Sequence, residues 1–137
     1  MKTTLMISVL LALGILGTAF KISQQKPWVA PDSNAKVANP VKSDAASLEA
    51  GKALYTKTCK ECHGTKGKGD GPKTEELDKV PGDFTKADFQ KQTDGAIFWK
   101  MTEGRKPMPS FKKDFSETQR WQLVNYLRTL GGSGVKK

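Results

Sequence analysis

The longest uncharged apolar run in the chain comes first. After Met1 and Lys2, no charged residue interrupts the stretch from Leu5 to Phe20. A basic start, an apolar run and small residues at Gly17 and Ala19 describe a secretory signal cut after Ala19. Sixteen such residues also reach the short edge of a spanning helix. Residues 1–20 therefore read as a signal peptide or a membrane anchor, and export follows from either. No cysteine lies near residue 20, so a lipoprotein anchor is excluded. Residues 21–46 have no period. Pro27, Pro31 and Pro40 are spaced by Ser, Asn, Ala and Lys, a composition that predicts a flexible linker. Trp28 and Val29 within it either dock onto the following domain or stay exposed.

Helical periodicity begins at Ser47. Leu48, Gly51, Leu54, Tyr55, Thr58 and Cys62 recur at three- and four-residue spacing, which predicts a helix from Ser47 to His63. Gly51 is costly inside a helix, so something large should approach it closely there. Gly64 ends the helix and opens a glycine-rich stretch to Pro72. No strand precedes that stretch, so it reads as a flexible turn rather than a phosphate loop. Residues 73–92 are irregular, with a short helical piece at Lys73–Lys79, a turn at Pro81–Gly82, and Phe84 and Phe89 as core or cofactor-contact aromatics. A second helix is predicted from Asp94 to Glu103, capped by Gly104. A third begins at Ser116 with Gln119 as its capping box, carries Trp121, Leu123, Val124, Tyr126, Leu127 and Leu130, and stops at Gly131-Gly132. Residues 133–137 read as a disordered tail. The pattern is all-α, with one folded domain over residues 47–132 and no internal repeat.

Composition sharpens this picture. Only 36% of the 137 residues are hydrophobic, and part of that share lies in the first segment. The folded portion has a thin core for its size and would gain from closing around a large apolar group. The net charge is +9, from 23 Lys and Arg against 14 Asp and Glu. Such a balance fits nucleic acid, anionic membrane or acidic proteins. Export disfavours nucleic acid and leaves an acidic protein or a membrane-bound partner.

Candidate chemistry is concentrated in Cys59-Lys60-Glu61-Cys62-His63. Two thiols three apart, followed by the chain's one histidine, form the C-x-x-C-H pattern of covalent c-type haem attachment. Residues i and i+3 share a helix face, so both sulfurs reach one porphyrin, and His63 follows as an axial iron ligand. Zinc normally takes four Cys or His ligands, more than the chain contains. A thioredoxin-like pair would sit in a βαβ pattern, and a plain disulfide leaves His63 unexplained. With no further cysteine, one haem c is expected. Its other axial ligand should be a methionine. Met1 and Met6 lie in the export segment, and Met101 sits in an apolar helix, where methionine is usually core filler. Met108 lies between Pro107 and Pro109, which favour an extended strap able to hold a thioether over the haem. Met108 is therefore the expected second ligand.

These residues carry a family likeness. Gly51-Lys52-Ala53-Leu54-Tyr55 before the C-x-x-C-H, Gly69-Asp70-Gly71-Pro72, Gly104 through Phe111 around Met108-Pro109, and Trp121–Leu130 resemble a class I c-type cytochrome. The chain is similar to bacterial mono-haem forms of the c5/c6 and oxidase-subunit type. The resemblance implies a small helical fold whose first and last helices cross, Gly51 meeting Tyr126, with the haem in a cleft. It also implies Met108 as sixth ligand. The expected function is single-electron transfer between respiratory or redox partners outside the cytoplasm, in the periplasm, and not catalysis. Lys66, Lys68, Lys73, Lys106, Lys112 and Lys113 flank the haem loops as a docking rim. The rival class, a haem enzyme or gas sensor with open iron, would need a polar distal group, for which Arg105 is the nearby candidate.

Overall fold

The computed structural model describes residues 26–132. Its helices in chain order are α1 (Asp32–Ala35), α2 (Ala45–Leu54), α3 (Lys60–His63), α4 (Ala87–Gln90), α5 (Asp94–Glu103) and α6 (Glu117–Thr129). A π-helical turn, Tyr55–Cys59, joins α2 to α3, and a 3-10 turn covers Thr74–Glu76. The described residues form no strand, only an isolated bridge between Arg105 and Met108. No helix among them is long and apolar enough to cross a membrane.

Local chemistry explains the ends of these helices. Asp44 has extended backbone and accepts the Ser47 N–H at 3.0 Å, so α2 starts two residues before the predicted Ser47. Thr93 caps α5 by accepting from Ala96, and Gly104 leaves it at φ 70°. Ser116 and Gln119 form the predicted reciprocal capping box of α6. The helical piece expected over residues 73–79 is reduced to the 3-10 turn.

The crossing of α2 and α6 organises the core. A Cβ on Gly51 would strike the Gln122 carbonyl and lie 2.8 Å from Tyr126 Cβ, so only glycine lets the two backbones meet. This is the close approach expected at Gly51. Tyr55, Ile97, Met101, Phe111, Trp121, Leu123, Val124 and Leu127 fill the interior around it. Phe98 stacks on Trp121 with ring centroids 3.9 Å apart, and the Arg120 guanidinium lies over the Phe98 ring at 4.8 Å. Arg128 ties α6 to α5 through an ion pair with Asp94 at 2.6 Å and donates to the Gln90 and Gln92 carbonyls.

The stretch preceding α2 differs from the flexible linker expected of it. Asn39 donates to Asn125 Oδ1 at 2.8 Å, and Asn125 in turn donates to the Val41 carbonyl at 3.1 Å and to Ser47 Oγ at 2.9 Å. Ala30 is buried, and Val41 packs on the core. Helix α1 lies on α5 at Gly95, where a Cβ would come within 2.7 Å of the Val37 carbonyl. Proline-rich composition signalled a lack of regular structure. The packing comes instead from side-chain amides bonding to irregular backbone, which leaves no periodic trace. The expected signal or anchor over residues 1–20 and the tail over 133–137 lie outside the described residues.

Candidate haem site

Cys59 closes the π turn, and Cys62 and His63 lie on the short α3 that follows. Three residues make a helix end with exposed carbonyls, and the glycine-rich segment turns back to satisfy them. Gly69 N–H donates to His63 O at 2.9 Å, Gly71 N–H to Cys62 O at 3.2 Å and Lys73 N–H to Glu61 O at 2.9 Å. Thr74 Oγ1 adds a bond to Cys62 O at 3.0 Å. A Cβ on Gly71 would sit 2.6 Å from the Cys62 carbonyl carbon, so this return demands a glycine. The segment is a brace for the C-x-x-C-H helix.

The His63 ring is fixed from two sides. Its Nδ1 is 3.1 Å from Gly82 O, and its face stacks on Phe84 with centroids 4.3 Å apart at 21°. In the tautomer that donates Nδ1–H to this carbonyl, Nε2 keeps a free lone pair, the usual arrangement of a metal-binding histidine. Burial lowers the His63 pKa, and the Gly82 carbonyl works weakly the other way. The shift favours the neutral imidazole that a ligand must be. Cys59 and Cys62 are unpaired with each other. Burial, reinforced by the neighbouring Cys62, pushes the Cys59 thiol up to about 12.

Met108 stands on a tight reversal. Arg105 and Met108 exchange both backbone hydrogen bonds at 3.0 Å, with Lys106 and Pro107 between them. The strap is then pinned to α5 by Ser110 Oγ donating to Thr102 O at 2.6 Å and Phe111 N–H to Met101 O at 3.1 Å. Gly104 makes room for it, since a Cβ there would fall 2.6 Å from Ser110 N. Met101 is 3% exposed and belongs to the core cluster.

One cavity of about 460 Å³ brings these groups together. Cys59, Cys62, His63 and Met108 all line it, with Phe84, Phe89, Ile97, Leu123 and Leu127 supplying apolar wall. Met101 also borders it. The volume lies in the range of cofactor pockets, roughly 300–1,000 Å³. The donor set fits an iron porphyrin: two thiols for covalent attachment, an imidazole with an available nitrogen, and thioethers lining the same cavity. Among the described residues no three His, Cys, Asp or Glu side chains gather around a bare ion. Arg105 borders the cavity too, but its guanidinium lies over the Trp28 ring at 4.8 Å. Trp28, Lys79, Val80 and Lys100 are lining residues that sequence reasoning did not assign. The clue available for Trp28 was a bulky indole in an otherwise polar stretch.

A helical fold with crossed terminal helices and a haem-attachment sequence on its cavity wall defines a class I c-type cytochrome. The match extends over residues 46–127, and the chain belongs to the family described as cytochrome c oxidase, cbb3-type, subunit III. Solved structures agree. A chain of the Kuenenia stuttgartiensis reducing HAO-like protein complex Kustc0457/Kustc0458 is similar at 30% identity with a TM-score of 0.63, over 78% of this chain and 52% of that one. This chain thus spans about half the length of that relative. The KustC0563 c-type cytochrome is similar at 30% identity with a TM-score of 0.50, over 58% of this chain and 95% of that one. A search of curated proteins finds no match. The chain thus carries a class I cytochrome c domain.

Proposed function

We propose that this protein is a mono-haem electron carrier working outside the cytoplasm, with Cys59 and Cys62 holding the porphyrin as thioethers and His63 and Met108 as axial iron ligands. The observation that carries this reading is the convergence of these four side chains on one largely apolar cavity. A bound haem c supplies a one-electron ferric/ferrous couple. The chain's own residues hold that couple in place and set its energy. Gly82 and Phe84 orient the imidazole, while the Arg105–Met108 reversal positions the thioether. A thioether axial ligand raises the reduction potential, and apolar walls that exclude water act in the same direction. Filling both axial positions from the protein leaves none for substrate, which makes a carrier rather than an enzyme.

Lys66, Lys68, Lys73, Lys106, Lys112 and Lys113 are all exposed, and Lys79 and Lys106 border the cavity. They form a docking rim for redox partner proteins with acidic surfaces. The similarity to a chain of a protein complex supports protein partners, and the apolar residues 1–20 support export.

The test is the optical spectrum of the haem-loaded protein, oxidised and reduced, before and after CO. A c-type reduced spectrum, the weak far-red iron–methionine band when oxidised, and indifference to CO are expected. Met108→Ala should abolish that band, lower the midpoint potential and admit CO. An unchanged potential would remove Met108 from the ligand role, and ready CO binding by the wild-type protein would sink the carrier reading in favour of a gas sensor or enzyme.

A further inference from the structure

Trp28 belongs to the stretch that precedes the family match at residues 46–127, yet it lines the same cavity as Cys59, Cys62, His63 and Met108. Its position is built rather than incidental. Arg105 lies 4.8 Å from the indole centroid and Lys100 5.8 Å, both within cation–π range. Arg105 Nη1 also donates to the Lys26 carbonyl at 3.1 Å, so one guanidinium grips both the ring and the backbone beside it. Further along, buried Ala30, the Gly95 notch under α1 and the Asn39–Asn125 clasp fix the approach of the segment to the domain. A half-buried indole held at the cavity edge by two cations from α5 and the methionine strap contributes apolar wall that the family-matched residues do not provide.

We propose that Trp28 is a haem-pocket residue that closes one edge of the cavity against water and thereby raises the reduction potential of the iron. The inference rests on the haem reading above. Its physical basis is the charge difference between the two oxidation states. Oxidised iron carries one more positive charge, water stabilises that charge, and an indole in place of water removes the stabilisation. The segment that leads in from the amino-terminal side thus tunes the site.

The experiment is a spectroelectrochemical titration of the full haem-loaded chain as wild type, Trp28→Ala and Trp28→Phe. Trp28→Ala should shift the midpoint potential downward with the iron–methionine band retained, and Trp28→Phe should recover most of that shift. An unchanged potential in Trp28→Ala, an equal drop in Trp28→Phe, or loss of the methionine band on removing the ring would each overturn the proposal. A wild-type protein without that band would instead defeat the ligand assignment, so the two failures are told apart by the wild-type spectrum.

Discussion

Tyr55 shows how much one side chain can do here. It is 1% exposed, its ring meets Phe84 and Tyr126, and its hydroxyl donates to Gly64 O at 2.5 Å, next to His63. That carbonyl also accepts from Gly67 N–H at 3.2 Å, so Tyr55→Phe leaves it one partner. The variant should lose only about 1 kcal/mol, measured by denaturant unfolding. Burial, first among several causes, holds the Tyr55 pKa well above the tyrosine range, and burial also raises that of Tyr126. The folded state therefore keeps protons that the unfolded chain gives up near pH 10. Stability contributed by Tyr55 is fully present below that pH and falls as pH rises beyond it. In Tyr55→Phe the alkaline decline should be shallower, with the remainder left to Tyr126. An identical decline in both proteins would mean that Tyr55 is not the titrating group.

Among the elements, the α2–α6 crossing is the most sensitive to a single added carbon. Gly51→Ala places a methyl against the Gln122 carbonyl and Tyr126, on two rigid backbones that must separate to admit it. A loss of about 1–3 kcal/mol is expected, typical of an overpacked core, and would appear as a lower unfolding midpoint. A neutral result would show that the helices slide. Legibility in the sequence divides by element for physical reasons. The start of α6 was readable because Ser116 and Gln119 form a capping box with a local signature, whereas α5 was placed by its apolar residues and Gly104 and its Thr93 cap went unread. The cavity residues Cys59, Cys62, His63 and Met108 were readable because few other side chains in the chain have their chemistry. The π turn was not, since Tyr55–Cys59 carries no local signal that distinguishes it from the α-helix it continues. The packed stretch before α2 was also missed, because its Asn39 and Asn125 bonds span 86 residues.

For the whole molecule, the net charge of +9 acts chiefly on encounter with partners. Electron transfer to an acidic redox protein should slow steeply as ionic strength rises, as stopped-flow rates would record. A rate indifferent to salt would remove the lysine rim from docking. The amino-terminal attachment has a mechanical consequence as well. The described chain meets the domain first at Lys26 and Trp28, on the cavity edge, and only later at the Asn39–Asn125 clasp. A pull arriving through residue 25 therefore loads these contacts one after another, in the manner of a peel. In optical-trap stretching from the amino-terminal end, a small early extension should precede the rupture of the domain. The first link in that series is the one at the mouth of the pocket, so tension from the amino-terminal side is felt there before it reaches the clasp.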